Sequence, residues 1–363
     1  MQHFLSNSEF RRQYRTPALL ADDDGNVFKA EDAAETIASY LNKRLYEIGV
    51  RYVFAIPGDY IAEWVETLDD SRTNPPPHNL TRVHPNNEMC AAYAADGYGR
   101  ANSGGVGCVS FTYGVGALNA VQAVAGAFVE SSPLVAVNGS PSIAQFNSQR
   151  DQGLLWHHMF DGSYTDLRVY ENVTAMAVRI DNPATGPDLI DAALRTCITL
   201  SKPVYIEIAT QTENLPCRPV PPEPLRPAPV PQDSKMLDDA VTAVLNYLES
   251  AKKLVVLGGV EIARFGLQED FAKLCRLLQA PYLSSLLGKS ILSEYRDDVC
   301  FSGVFNGKNS QENVKKLMGD ADYVLSLGVY DTDFNFSGLS QGTTTGAFDL
   351  PENFIEVRRG AVK

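Results

Sequence analysis

The sequence runs to 363 residues, beyond the usual size of one domain, so two domains are the first expectation. Its 44% hydrophobic and 21% charged residues suit ordinary buried cores, and no run of about 18 apolar residues is present to span a membrane. A net charge of −13 disfavours nucleic acid and anionic membrane surfaces as partners.

In chain order, residues 1–29 are polar and mixed in sign and read as an N-terminal extension. They lack the continuous apolar stretch of a secretory signal. Residues 31–50 carry apolar side chains at helical spacing (Ala34, Ile37, Ala38, Leu41, Leu45, Ile48) and end on Gly49, a helix C-terminal signal. RYVFAIPGDY then reads as a short strand running into a Pro-Gly turn. The alternation continues: a helix over MCAAYAADGYGRA, a strand over GVGCVSFT, a glycine-bearing turn and helix over YGVGALNAVQAVAGAFVE, and a strand over PLVAVNGS. A further helix (PDLIDAALRTCITL) and strand (KPVYIEIA) follow.

This alternation predicts a parallel sheet covered on both faces, with function at the loops that follow its strands. Those loops fall at Gly58-Asp59, Thr112-Tyr113-Gly114 and Asn138-Gly139-Ser140. Eight prolines in PCRPVPPEPLRPAPVP mark a domain boundary, since such density excludes helix and interior strand. Beyond it a second α/β unit begins: a helix over 236–250, a strand in KKLVVLGG, a helix over 269–279, then strands in PYLSSLLGKS, DYVLSLGVYDTDFN and NFIEVRRGAVK. The predicted division is an extension (1–29), a first α/β domain (30–212), a Pro-rich linker (213–233) and a second domain (234–363). Six cysteines (Cys90, Cys108, Cys197, Cys217, Cys275, Cys300) stand apart with no CxxC spacing, which favours reduced thiols and a cytoplasmic location.

Several residues have both a plain and a chemical reading. Glu88 heads an Ala-rich helix, where an acid in the first turn is stabilising in any protein. Asp59 follows a strand in a Gly-Asp pair, ordinary turn composition. His157 and His158 lie beside Trp156, Met159 and Phe160 and could be packing residues, although two of five histidines side by side suit proton handling. The Gly-Gly of LGGVEIARFG follows a strand, but no full GxGxxG fingerprint accompanies it.

Taken together, IPGDY, NNEMCAAYAADGYGRA, SFTYGVGALNA and the pair in LLWHHMF resemble, in order and context, the thiamine-diphosphate-dependent 2-oxo acid decarboxylases, pyruvate and indolepyruvate decarboxylase among them. The resemblance implies two doubly wound parallel-sheet domains, one binding the cofactor's pyrimidine and one Rossmann-like and central. It assigns Glu88 to the glutamate that hydrogen-bonds the aminopyrimidine ring and promotes removal of the thiazolium proton. Burial among alanines is expected to raise its pKa for that task. Asp59, His157 and His158 match the family's proton relay, and Pro57, Gly58, Thr112, Tyr113 and Gly114 match segments that approach the cofactor. The family's C-terminal diphosphate-binding domain, with its GDG-type magnesium motif, has no counterpart in the sequence. The nearest string, MGDAD at 318–322, lacks the glycine.

The expectation is therefore one subunit of a split, non-oxidative 2-oxo acid decarboxylase. Its partners would be a second polypeptide supplying the diphosphate and Mg2+ side, another copy of itself across a two-fold axis, and a small 2-oxo acid. The alternatives are a carboligase subunit forming acyloins and a non-catalytic assembly subunit.

Overall fold

A computed structural model describes residues 35–76, 79–102, 105–154, 156–160, 162–229, 233–332, 335–336 and 353–362. The extension read at 1–29 and the first residues of the predicted opening helix lie outside these. The chain divides into two compact units, Met1–Ala228 and Pro229–Lys363.

The first unit opens with β1 (Glu35–Thr36) and α1 (Ile37–Glu47). Thr36 and Ser39 form a capping box that satisfies two of the helix's free N–H groups. Next come β2 (Tyr52–Ala55), α2 (Ala62–Thr67), β3 (Thr81–Val83), α3 (Glu88–Ala101), β4 (Gly107–Thr112) and α4 (Val115–Val129). They are followed by β5 (Leu134–Ser140), α5 (Ile143–Gln152), α6 (Thr165–Val173), β6 (Met176–Ile180), α7 (Gly186–Leu200) and β7 (Val204–Ala209). The two-residue β8 (Pro216–Cys217) pairs with β1, so the start of the proline-rich segment is tied into this unit.

Six strands form one parallel sheet in the order β3-β2-β4-β5-β7-β6. The apolar runs in β4, β5 and β7 are buried at every position. Successive side chains point to opposite faces. Cys108, Val135, Val137, Val204 and Ile206 join Ile37, Leu41, Trp64 and Leu194 of α1, α2 and α7 in one core. Val109, Phe111, Ala136 and Tyr205 join Ala91, Ala95, Ala117, Ala120, Val124 and Tyr170 of α3, α4 and α6 in the other. Small residues on α3 and α4 let those helices lie close on the sheet. After β2 the chain moves outward to β3 and then returns to place β4 on β2's other side, which puts the topological switch point between β2 and β4. In an open parallel sheet the crevice outside the carboxyl ends of such a strand pair is where ligands bind.

One predicted loop is not a loop. Asn138, Gly139 and Ser140 remain in β5 and pair with Glu207, Ile208 and Ala209 of β7. The strand persists because β7 pairs with it as far as Ser140 and β4 as far as Gly139, and Asn138 finds buried polar partners rather than solvent.

The second unit contains α8 (Ser234–Glu249), β9 (Leu254–Gly258), α9 (Val260–Arg264), α10 (Gln268–Leu278), β10 (Tyr282–Ser285), β11 (Phe301–Phe305), α11 (Glu312–Gly319), β12 (Tyr323–Leu327), β13 (Asn353–Arg358) and β14 (Ala361–Val362). Its sheet order is β11-β10-β9-β12-β13-β14, parallel except for the final pair. The switch point here lies between β9 and β12, where backbone meets backbone. Gly259 N–H donates to the Leu327 carbonyl at 2.8 Å and Glu261 N–H to that of Gly328 at 3.1 Å. Met318 to Asp322, the MGDAD string, closes α11 and leads into β12. Among the described residues no helix is long and apolar enough to cross a membrane, and the six cysteines are free.

Candidate active site

The carboxyl ends of β2 and β4 meet at the switch point. Ile56 N–H extends the strand pairing to the Ser110 carbonyl at 3.0 Å, after which Pro57, Gly58 and Asp59 turn out of the sheet. Gly58 rests on Thr112 so closely that a Cβ there would fall 2.4 Å from the threonine's own Cβ. The Gly of the IPGDY string is thus set by the approach of β4.

Glu88 begins α3 beside its N-cap Asn87, whose side chain accepts from Cys90 N–H at 2.9 Å. One glutamate oxygen, Oε2, accepts from Asn119 Nδ2 of α4 at 2.9 Å. The other, Oε1, faces Gly116, where a Cβ would approach to 3.1 Å. The burial expected for Glu88 differs from what is found. The alanines Ala91, Ala92 and Ala95 point into the core beneath the sheet, while the carboxylate stays half-buried at the head of the helix. Position N1 places the side chain at the helix mouth, on the same face as Ala91, Ala92 and Ala95 but one turn before them.

The turn from β4 into α4 is the hinge of the site. Tyr113 is fully buried, and its hydroxyl donates to the Ser163 carbonyl at 3.2 Å. Gly114 adopts φ +80°, and a Cβ there would stand 2.3 Å from the His158 carbonyl oxygen. His158 itself has φ +62°, a left-handed conformation uncommon outside glycine, though less so for Asn, Asp and His than for other residues. Two neighbouring left-handed residues therefore interlock, and neither can relax without the other.

His157 Nε2 lies 3.2 Å from Asp59 Oδ2, and both side chains are largely exposed. The His157 ring stacks on Tyr60 with centroids 5.1 Å apart, and the Tyr60 hydroxyl donates to the His157 carbonyl at 3.2 Å. Burial and then the nearby Asp59 charge raise the Tyr60 hydroxyl pKa, which keeps it a donor. Tyr60, Tyr113, Phe146 and Met159 make a small core under this corner, with Trp156 against it.

Behind the turn lies a buried polar chain in which sequence patterns single out Asn138 alone, and as a loop residue. Asp166 Oδ2 accepts from Gly114 N–H at 2.7 Å and from Asn138 Nδ2 at 3.2 Å. Asn138 Nδ2 also donates to the Tyr205 hydroxyl at 2.7 Å, and that hydroxyl donates to Glu207 Oε2 at 2.8 Å. Glu207 is paired with Arg179, whose guanidinium also bonds the Pro141 carbonyl and stands over the rings of Phe146 and Tyr164. Burial pushes the Asp166 carboxyl up to about 7, opposed by the Gly114 N–H and helped by Glu207. With one buried arginine beside two buried carboxyls, Glu207 takes the cation and Asp166 keeps its proton to near neutrality. A lone charge in an apolar strand run, Glu207 in VYIEIA and Arg179 in MAVRI, is the sequence signal that marks such a pair.

Of the residues expected from sequence, Asp59 meets His157, His158 meets Gly114, and Gly58 meets Thr112. Glu88 meets the helix that Gly114 begins. Asn119, Gly116, Tyr60 and Asp166 complete the arrangement. Among the described residues no group of three or more His, Cys, Asp or Glu side chains converges as a metal site.

Residues 35–166 match the model of the thiamine pyrophosphate enzyme N-terminal TPP binding domain, and residues 241–358 match that of the central domain. A probable pyruvate decarboxylase of Schizosaccharomyces pombe is 33% identical over 85% of this chain and 52% of its own length. An indole-3-pyruvate decarboxylase of Azospirillum brasilense is 31% identical over 83% and 52% respectively. For pyruvate decarboxylase isozyme 2 of Saccharomyces cerevisiae the figures are 30%, 90% and 55%. The chain thus spans about half the length of the curated relatives it matches. Two domain matches in the family's order, carried by two parallel-sheet units, establish that this chain belongs to the thiamine pyrophosphate enzymes and comprises their N-terminal and central domains.

Proposed function

We propose that this chain supplies the pyrimidine-activating side of a thiamine-diphosphate-dependent, non-oxidative 2-oxo acid decarboxylase. The carrying observation is the β4–α4 turn, where Gly114 touches His158 and, two residues on, Gly116 borders Glu88. One short segment thereby links a carboxyl able to act on the cofactor with a histidine pair able to act on the product.

The residues present suit the group. Only hydrogen stands on Gly116 where a Cβ would crowd Glu88 Oε1, so that oxygen is open to a flat ring. The other oxygen is held by Asn119, which fixes the plane of the carboxyl. Thr112 Oγ1 is buried with no hydrogen-bond partner among the described residues. Bound thiamine diphosphate would supply the electron sink for loss of carbon dioxide. Glu88, through the oxygen that faces Gly116, would hold the pyrimidine ring and share a proton with it. Asp59 orients His157 through their 3.2 Å contact, so that the imidazole is placed to pass a proton to the carbon that loses carboxylate. Tyr60 fixes the imidazole's plane by stacking.

The same reading gives this face a partner. Asp59, His157 and His158 lie open to solvent on this chain, whereas decarboxylation benefits from a site that excludes water. A diphosphate-binding domain carrying magnesium, supplied by a second polypeptide, would cover it, and a second copy of this chain would complete a two-fold core. Native mass spectrometry of the protein purified from its own source tests the arrangement. A complex with a distinct second polypeptide supports it, and a single longer chain bearing both halves refutes the split. Product analysis tests the reaction: carbon dioxide with free aldehyde supports it, and a coupled hydroxyketone as the main product refutes it.

A further inference from the structure

Helix α6 grips the first turn of α4 at two points. Asp166 accepts from Gly114 N–H at 2.7 Å, and the Tyr170 hydroxyl donates to the Ala117 carbonyl at 2.7 Å. Asp166 and Tyr170 are four residues apart and so share one helix face. Both side chains are fully buried. On its opposite side the same turn of α4 presents Gly114 to His158, and Gly116 and Asn119 to Glu88. Whatever fixes the back of this turn fixes the spacing between those two groups at its front.

Tyr170 holds a carbonyl inside the helix, which the helix itself constrains. Asp166 holds Gly114, the residue at which the chain leaves β4 and enters α4 with φ +80°. A glycine has no side chain through which its neighbours can hold it, so Gly114 is placed by close packing against His158 and by its own backbone hydrogen bonds. The single backbone donor available to fix it here is received by Asp166.

We propose that Asp166 is a positioning residue for the decarboxylase site: by holding the Gly114 amide it sets the α4 turn, and with it the distance between Glu88 and His158. The assignment rests on the roles given above to those two residues. The groups facing Asp166 are Gly114 N–H from α4, Asn138 from β5, Tyr205 and Glu207 from β7 and Tyr170 from its own helix, with Arg179 of β6 beyond Glu207. None is a cation in direct contact, so the contact to Gly114 changes in strength as Asp166 loses its proton.

The sequence contains two Tyr-Gly pairs, Tyr98-Gly99 and Tyr113-Gly114. Labelling tyrosine carbonyls with 13C and glycine nitrogens with 15N therefore isolates two amide signals in the whole chain. The Gly114 signal should shift with pH through a midpoint near 7 in the wild type and be flat in Asp166→Asn, while Gly99 is flat in both. A Gly114 signal indifferent to pH and to the substitution would overturn the contact. This measurement needs neither cofactor nor substrate, so it decides the Asp166 contact even if the decarboxylase reading fails. In the assembled enzyme, Asp166→Ala should lower kcat at least roughly tenfold with little change in KM, as expected from misplacement of reacting groups. Asp166→Asn, which keeps an acceptor, should recover most of it. Unchanged kcat in folded Asp166→Ala would also overturn the proposal.

Discussion

Replacing Asp166 by Asn should remove a pH dependence from the stability of the first unit. The carboxyl is buried, and its pKa rises from 3.8 to about 7 on folding, chiefly because burial penalises the charged form. Below pH 4 it is protonated in both folded and unfolded chains and contributes nothing to the difference. Between pH 4 and 7 the unfolded chain ionises while the folded protein retains its proton, so stability falls as pH rises. Above 7 the loss is complete and constant. A shift of about three units corresponds to about 4 kcal/mol at roughly 1.4 kcal/mol per unit, an upper bound because water and relaxation soften burial. Asparagine keeps the shape and an acceptor for Gly114 but does not titrate. Urea unfolding of wild type and Asp166→Asn at half-unit intervals from pH 4 to 8 gives the difference directly. The variant should gain on the wild type steadily to about pH 7 and then run parallel to it. Two curves parallel across the whole range would show that Asp166 ionises normally, and the account of the buried network would fall.

Gly114→Ala should disturb the site and destabilise the first unit by at least about 1–2 kcal/mol, the penalty of a left-handed non-glycine residue, before its 2.3 Å clash with the His158 carbonyl is added. Chemical denaturation and turnover of the assembled enzyme both read this. Breaking the buried Arg179–Glu207 pair with Arg179→Met should cost about 3–5 kcal/mol, and adding Glu207→Gln should recover part of that, because the orphaned carboxylate is then neutral; equal unfolding midpoints for single and double variants would contradict the pairing. Asp59→Asn should leave the unfolding midpoint unchanged, since the Asp59–His157 contact is exposed, while reducing aldehyde release in an activity assay.

The elements legible in the sequence are those with a strong period or an unbroken apolar run. Helix α1 follows from Ile37, Leu41 and Leu45, and Gly49, with φ +100°, ends it where its position suggests. Strands β4, β5 and β7 are buried on both sides, and their continuous apolar runs give the parallel sheet. Strand β3 is three residues with Arg82 in the middle, too short to show alternation. Helix α5, IAQFNSQRDQ, buries only Phe146, so its polar sequence carries no apolar face to detect. The front of the site was legible because its residues fall within short strings. The back was legible only at Asn138, and there as a loop residue: Asp166, Asn138, Tyr205, Glu207 and Arg179 come from four separate elements, and only folding brings them together.

The central claim, that Glu88 acts on the cofactor's pyrimidine, is tested most directly by deuterium exchange at the thiazolium carbon of thiamine diphosphate bound to the assembled enzyme, with and without Glu88→Gln. The account predicts exchange slowed by roughly 10²–10⁴-fold, the usual worth of a positioned acid–base group, with cofactor still bound. Exchange at the wild-type rate in a cofactor-loaded Glu88→Gln enzyme would contradict it.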